Sequence, residues 1–343
     1  MNRTRLLWVL SALVLGPAAE CSASIATSGT LYFTRYAGGL NVNKVAFSYD
    51  GGSLASSFGL AAPVNITTTP GADGIQFDPN NGHLLIGGQG PAVYRVNPST
   101  GSFTSASTSP AVAFHLEVDP TASFVYASGI PGLLSRVPIG GAFGTAGTPI
   151  TVAGPGGVIT TIIFTPTGKN YYTMSGSGGF GDFGEVSISG TTATLTPLFS
   201  SVPAAHGGEY DPLTGSIFLF GSNMVTQVTG IGGTATLAAS VTFPGMAFDQ
   251  GTVDGAGHLF AASNTGHLLF MDYSATGSIV GAGTYADIEF LTSFLDDIAP
   301  LVGPGAPPPT PTIPEPATLA VWSLLGLIAS AYGAKARWRA PIA

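Results

Sequence analysis

Short apolar runs alternate with turn residues along most of the chain. A pattern of apolar run, Asp or Thr, turn and second apolar run occurs in GIQFDPNNGHLLIGG from Gly74, HLEVDPTASFVYASG from His115, TIIFTPTGKNYYTMSG from Thr161 and GGEYDPLTGSIFLFG from Gly207. A shorter segment, GTVDGAGHLFAAS from Gly251, keeps the same order. Alternating apolar residues on both sides of a turn are typical of half-buried strands. Each segment therefore predicts a β-hairpin.

The turns recur at a regular interval. In sequences such as DPNNG and DPLTG, Asp bonds its own backbone, proline presets φ and glycine accepts a positive φ. The turn residues are 41, 46, 46 and 43 positions apart, at Asp78, Asp119, Thr165, Asp211 and Asp254. Third apolar runs follow at 92–97, 133–139, 184–189, 224–230 and 267–272, and a weaker, more polar run completes each unit. Four strands in every 40–45 residues or so is the period of a β-propeller blade.

The two ends of this repeat complement each other. Residues 30–35 and 44–49 resemble second and third strands without a first, and residues 296–301 resemble a first strand without followers. Joining them closes the ring and removes exposed sheet edges. We therefore predict an all-β propeller of six four-stranded blades over residues 24–302. Seven blades are the alternative if residues 52–72 contain another unit, and an irregular β-sandwich or solenoid is the other competing fold.

The N-terminus has the pattern of a secretory signal peptide. Arg3 and Arg5 precede an apolar run, and small residues follow around Cys21, so residues 1–23 are predicted to be removed after Ala23. A lipoprotein signal through Cys21 is the alternative, although Glu20 before it does not suit that motif. Cys21 is the single cysteine, so the mature chain would have neither disulfides nor thiolate sites.

The C-terminus has the pattern of a tethered membrane segment. Residues 303–313 are a proline-rich linker, and residues 317–334 contain no charge and are just long enough to cross a bilayer as a helix. A basic cluster follows at Lys335, Arg337 and Arg339. Because basic residues resist translocation, they should remain cytoplasmic and leave residues 24–316 outside the cytosol.

Together with Pro314, Glu315 and Pro316, this tail resembles a PEP-CTERM sorting signal, over residues 314–343. The resemblance implies an exported protein of a Gram-negative bacterium that uses the Sec translocon and signal peptidase. It also implies transient anchoring in the inner membrane, processing by an exosortase near the Pro-Glu-Pro motif, and release to the cell surface or outside the cell. Extracellular polysaccharide is an implied partner. Nothing about the activity of the remaining chain follows from the tag.

Composition excludes one class of partner. Charged residues make up only 8% of the chain, and its net charge is −8 with 10 Lys and Arg. Nucleic-acid binding requires a basic footprint to neutralise phosphates, so we predict no nucleic-acid partner.

The first strand of each unit is predicted to line a central channel, which would bring polar residues together. Candidate channel or metal residues are Asp73, Glu117, His206, Glu209 and Asp249, with Asp297 added by the closing strand. Oxygen ligands of this kind suit calcium. The arrangement loosely resembles the metal-bearing channels of six-bladed propeller lactonases and the substrate face of NHL-type propellers. The alternative is that these residues form hydrogen bonds with one another and with water in the channel.

These features predict a non-enzymatic function, in which the propeller displays a binding or structural surface at the cell surface or in the extracellular matrix. The alternative is a secreted lactonase-like hydrolase that uses the channel carboxylates and a divalent metal. Carbohydrate binding through Tyr171, Tyr172 and Phe180 is a further possibility. Three histidines at strand starts, His83, His258 and His267, are predicted to be surface or turn residues rather than ligands.

Overall fold

A computed structural model describes residues 25–311 of the chain, except residues 109–111, 130–131, 142, 176–180, 292, 304 and 307–309. The described residues form an all-β structure in which the helical content is one 3-10 turn, Ala55–Ser57. None of the helices found among these residues is long and apolar enough to span a bilayer. The predicted signal peptide at 1–23 and the predicted sorting signal with its helix at 317–334 lie outside the described residues.

The strands follow the predicted hairpin units. In chain order they are β1 (Thr27–Arg35), β2 (Val42–Tyr49), β3 (Phe58–Leu60), β4 (Val64–Thr67), β5 (Ile75–Phe77), β6 (Leu84–Ile86), β7 (Ala92–Val96), β8 (Phe103–Ser107), β9 (His115–Val118), β10 (Phe124–Gly129), β11 (Leu133–Pro138), β12 (Thr148–Ala153), β13 (Val158–Phe164), β14 (Asn170–Ser175), β15 (Gly181–Ser189), β16 (Thr192–Val202), β17 (Gly207–Asp211), β18 (Ser216–Gly221), β19 (Met224–Thr229), β20 (Thr236–Thr242), β21 (Phe248–Val253), β22 (His258–Ser263), β23 (His267–Asp272), β24 (Thr284–Glu289), β25 (Leu295–Ile298) and β26 (Thr310–Pro311).

Five of the units are antiparallel meanders of four consecutive strands: β5–β8, β9–β12, β13–β16, β17–β20 and β21–β24. The outer strands β12 and β16 also pair in parallel over three residues, which joins two meanders into one sheet. The remaining sheet has the order β25-β1-β2-β3, with β4 also paired to β2 and β26 to β1. The first and last units of the repeat therefore pair through β1 and β25, as the sequence predicted. Residues 52–72 supply the outer strands of this closing sheet.

Side chains from neighbouring sheets form the hydrophobic core. Each buried cluster joins two consecutive sheets, and one cluster joins the closing sheet to the β21–β24 meander. At that junction Phe58 stacks on Phe270 with ring centroids 4.2 Å apart, and Phe47 lies 4.9 Å from Phe260. The packing consequently runs around a ring, with β5, β9, β13, β17, β21 and β25 innermost.

The predicted turn residues close the hairpins through their side chains. Asp78 accepts a hydrogen bond from the N–H of Asn80 at 3.0 Å, and Asp211 accepts one from the N–H of Leu213 at 3.1 Å. In the third unit, the hydroxyl of Thr165 donates to the carbonyl of Lys169 instead. Each turn therefore satisfies backbone groups locally, which explains why the repeat is visible in the sequence.

Candidate functional site

One mouth of the central channel contains a cluster of acids and histidines. It is formed at the starts of the innermost strands, where a cavity of about 260 Å³ opens. We call the following residues the mouth cluster: Asp73, His115, His206, Asp249, Asp296 and Asp297. Asp73 lies two residues before β5 and His206 immediately precedes β17, while the other members lie within β9, β21 and β25. The ring of strands thus brings together residues that are up to 224 positions apart.

Buried threonines hold the backbone of this mouth. Thr34 in β1 donates its hydroxyl to the carbonyl of Asp73 and accepts the N–H of Asp297 at 3.2 Å. Thr160 and Thr173 both donate to the carbonyl of His206, the latter at 2.6 Å. Because each threonine belongs to a different strand from the residue that it bonds, the acids and histidines are positioned by neighbouring elements.

Close packing of the innermost strands also constrains this end of the channel. At Gly74, which follows Asp73, an added Cβ would lie 2.7 Å from the carbonyl oxygen of Phe114, the residue before the next innermost strand, β9. No side chain larger than hydrogen fits there without moving the backbone, so glycine allows the two strands to approach.

An ion pair and a ring contact define the centre of the mouth cluster. Nδ1 of His206 lies 2.7 Å from Oδ1 of Asp249, and the amide of Asn264 donates to Oδ2 of Asp249 at 3.5 Å. The ring of His115 meets the ring of His206 edge-on, with centroids 5.2 Å apart. Nδ1 of His115 lies 3.9 Å from Oδ2 of Asp297. Asp249 therefore engages Nδ1 of His206 and leaves Nε2 as the ring nitrogen outside this pair.

The groups of the mouth cluster differ in their preferred protonation. Burial, with repulsion from Asp297 and Asp249, raises the pKa of Asp73 well above its ordinary value. Burial and repulsion from Asp73 raise the pKa of Asp296 in the same way, and burial raises the pKa of Asp297. Burial also opposes ionisation of the His206–Asp249 pair, but mutual attraction outweighs it. The pKa of His206 rises to about 9, and the pKa of Asp249 falls well below its ordinary value.

Two overlapping sets of side chains in the mouth cluster fit a divalent cation. One set is Asp249, Asp296 and Asp297, and the other is Asp73, His115 and Asp297; within each set the donor atoms lie within 4.8 Å of one another. Oδ2 of Asp296 and Oδ1 of Asp297 are buried and have no hydrogen-bond partner among the described residues. Unpaired buried carboxylate oxygens are costly, and hard cations take such ligands. The cluster is therefore compatible with a metal ion.

The five candidate residues predicted from the sequence do not form one site. Asp73, His206 and Asp249 lie together in the mouth cluster, whereas Glu117 and Glu209 line a separate pocket at the opposite ends of the innermost strands. The predicted single set of channel acids is thus divided between the two ends of the channel. A strand rises about 3.3 Å per residue, so Glu209, three positions after His206, lies roughly 10 Å further along the channel.

Other site residues were not found from the sequence. Asp296 adjoins the predicted residue Asp297, His115 begins β9, and Asn264 comes from the turn after β22. The adjacent pair Asp296 and Asp297 was the available signal, because charged residues are rarely buried unless they have a partner or a function.

The two tyrosines predicted for a carbohydrate-binding face do not form one, and two of the histidines at strand starts differ in burial. Tyr171 and Tyr172 are fully buried in the core, so they cannot present a carbohydrate-binding face; Phe180 lies outside the described residues. His258 is also fully buried, with Nδ1 lying 2.6 Å from Oδ2 of Asp254. It supports the turn between β21 and β22 from within, whereas His267 is partly exposed at the start of β23, as predicted.

Comparisons with known proteins support the fold. No family model and no curated protein matches the chain. A chain of a nidogen/laminin complex superposes with a TM-score of 0.53 at 11% identity, covering 79% of this chain and 97% of that one. Regucalcin, a calcium-binding protein from Agrobacterium tumefaciens, gives 0.50 at 16% identity, covering 68% and 78%. A putative gluconolactonase gives 0.50 at 12% identity, covering 66% and 80%. This protein therefore belongs to the class of all-β, propeller-like proteins.

These findings correct the predicted function. Two of the solved structures that share the fold are a regucalcin and a putative gluconolactonase, and the mouth cluster concentrates acids and histidines in one cavity. The prediction of a non-enzymatic surface for display is therefore wrong, and the lactonase-like alternative is better supported.

Proposed function

We propose that this protein is an exported β-propeller hydrolase that opens lactones or related esters with the help of a bound divalent ion, calcium being our first choice. The observation that carries the proposal is the mouth cluster, in which unpaired carboxylate oxygens adjoin a His–Asp ion pair inside an open cavity. We take the five meanders and the closing sheet as six blades around that cavity.

Asp249, Asp296 and Asp297 are the residues that we assign to the ion. An all-oxygen donor set suits calcium better than zinc, which prefers nitrogen and sulfur ligands. When bound, such an ion supplies Lewis acidity that polarises a carbonyl oxygen. This assignment leaves Asp73, His115 and His206 at the cavity for contact with substrate.

Asp73 and His206 are our proposed base and acid. Although burial opposes its charge, Asp249 raises the pKa of His206 to about 9, so the imidazolium can donate a proton to the oxygen released when a lactone ring opens. Burial raises the pKa of Asp73, and its carboxylate is therefore a stronger base for the proton of an attacking water. Thr34 and Thr160 hold the two residues through their backbone carbonyls.

Calcium is expected to bind to the purified protein with measurable heat and to raise its melting temperature. Binding at 100 times Kd would add about 2.7 kcal/mol to the free energy of unfolding, and EDTA should remove that gain. Titration calorimetry and thermal melts measure both effects, and initial rates on a panel of γ- and δ-lactones should depend on calcium. Absence of heat together with a melting temperature that EDTA leaves unchanged would contradict the metal site.

We further propose that the protein reaches its site of action through its two terminal signals. Residues 1–23 would direct it to the Sec translocon and signal peptidase, and residues 314–343 would anchor it in the inner membrane for an exosortase. After processing, the propeller would lie at the surface of a Gram-negative cell or outside it, in contact with extracellular polysaccharide. The support is the order of the Pro-Glu-Pro motif, the apolar span and the basic cluster.

The mass of the protein recovered from the outside of the host cell tests this route. We expect an N-terminus near Ser24 and a C-terminus near Pro314, Glu315 and Pro316, because both signals are removed during export. Intact mass spectrometry measures both ends, and a strain without its exosortase serves as the control. A secreted form that extends through Ala343 would refute processing at this motif.

A further inference from the structure

A second cavity lies at the end of the channel opposite to the mouth cluster. Its volume is about 350 Å³, near the lower limit of the roughly 300–1,000 Å³ of small-molecule sites. Most of its lining is apolar; the residues that form this proline-rimmed pocket include Pro120, Pro166, Pro212, Pro300, Phe164 and Tyr210. The pocket shares no residue with the cavity at the mouth cluster.

The repeat itself builds this rim. Pro120, Pro166 and Pro212 each follow the Asp or Thr that begins a hairpin turn, so three blades place a proline at the same level. Proline has a fixed φ and no N–H, so these positions present rigid apolar surface without an unsatisfied donor. The rim is therefore preformed, which lowers the entropic cost of binding a ligand.

The acidic and amide groups of the proline-rimmed pocket are Glu117, Glu209 and Gln76. The amide of Gln76 donates to Oε2 of Glu117 at 3.2 Å and to the carbonyl of Leu116 at 3.1 Å. Burial, then repulsion from Glu209, raises the pKa of Glu117 well above its ordinary value. Burial raises the pKa of Glu209 to about 8. Among the described residues that line the pocket, none carries a positive charge.

Two basic side chains of the protein form ion pairs with acids that do not line the pocket. Arg95 lies 2.7 Å from Asp78, and Lys169 lies 2.6 Å from Glu185. Burial and mutual repulsion disfavour the ionised forms of two acids in an apolar pocket, and a cation that enters between them stabilises those ionised forms. A bare metal ion is a poor occupant, because calcium takes six to eight oxygen ligands and the walls offer mainly carbon.

We propose that the proline-rimmed pocket binds a small organic amine, with its ammonium group between Glu117 and Glu209 and its apolar body against Phe164, Tyr210 and the prolines. The ammonium donates hydrogen bonds to the two carboxylates. The rings of Phe164 and Tyr210 give apolar contact and can also attract a cation to their faces. This site is separate from the proposed hydrolase site and does not depend on it.

Benzylamine, compared with benzyl alcohol, tests the charge requirement on the unaltered protein. The two molecules have nearly the same shape, and only the amine carries a positive charge at pH 7. Titration calorimetry should show that benzylamine binds at least about tenfold more tightly, a difference of roughly 1.4 kcal/mol. Equal binding of the two molecules, or no binding of benzylamine at millimolar concentration, would overturn the proposal.

Matched variants locate the site. Glu209→Gln and Glu117→Gln should each weaken benzylamine at least about tenfold, because each removes a carboxyl group that would ionise to pair with the ammonium and keeps the shape of the side chain. Glu289→Gln, whose side chain is 63% exposed on β24, should have no effect. Asp296→Asn should abolish calcium binding and leave benzylamine binding unchanged, which separates this site from the mouth cluster. Benzylamine affinity unaltered by both pocket variants, with their folding verified by thermal melts, would refute the assignment.

Discussion

Replacing Asp296 with asparagine is expected to abolish lactone hydrolysis while making the metal-free protein more stable. Asp296 is 2% exposed, and burial with repulsion from Asp73 and Asp249 raises its pKa. Asparagine has the same shape and relieves that repulsion, but it cannot supply an anionic ligand to an ion. Loss of several kcal/mol of transition-state stabilisation lowers the rate about 100-fold or more.

Two measurements on this variant separate function from folding. The initial rate at saturating calcium should collapse, and the melting temperature in EDTA should rise by roughly 2–4 °C for each kcal/mol gained. Glu289→Gln should leave both quantities unchanged. If Asp296→Asn hydrolyses lactones at the normal rate, the assignment of the ion to Asp249, Asp296 and Asp297 is incorrect. If rate and stability both fall, Asp296 supports the fold rather than the reaction. Asp297→Asn is a second variant with the same expected pattern.

The metal-free protein is expected to lose stability steadily as the pH rises from about 4.5 to 9. The pKa of Glu209 is about 8 in the folded chain against an ordinary 4.5, so ionisation is easier after unfolding and destabilises the fold increasingly across that interval. The raised pKa values of Asp73, Asp296 and Glu117, due first to burial, act in the same direction.

The histidine of the mouth cluster strengthens this trend. Because the pKa of His206 is raised from 6.5 to about 9, its ion pair contributes fully below pH 6.5 and is lost as the pH passes 9. The pKa of Asp249 is lowered from 3.8, so its contribution stays constant above that pH and does not oppose the decline.

Thermal melts in EDTA between pH 4.5 and 9 measure the slope. The melting temperature should fall throughout that range, and saturating calcium should reduce the fall by neutralising the mouth cluster. Glu209→Gln should also make the slope shallower, whereas Glu289→Gln should retain it. A melting temperature that is flat or rises with pH would show that these carboxyls are not held in the neutral form by the fold.

Much of the fold was accessible from local patterns. Asp78, Asp119 and Asp211 identify their turns because each carboxylate caps backbone groups only a few residues away. Alternating apolar residues then give the strands on either side of each turn. The closing pair β25 and β1 was also predictable, because each end of the chain carried an incomplete unit that the other completes.

Local sequence patterns predicted only part of the candidate site. Asp73 and Glu117 were grouped because both were assigned to channel-lining strands, but they lie at opposite ends of the channel. His115 was missed because it lies four positions before its turn residue, whereas Asp73, His206 and Asp249 lie five positions before theirs. The rise of a strand, about 3.3 Å per residue, separates positions along one strand, but which side chains of different strands meet at one end of the channel depends on how neighbouring sheets pack.

The sequence by itself determined the hairpin turns and the strands on either side of them, because both depend on residues close together in the chain. Tertiary structure alone decided which polar residues meet. Asp73 and Asp297 are joined by Thr34 from a third strand, and the acids divide into the mouth cluster and the proline-rimmed pocket. Ring closure brings strands from distant parts of the chain to one axis, so the chemistry there arises from long-range packing rather than from a local motif.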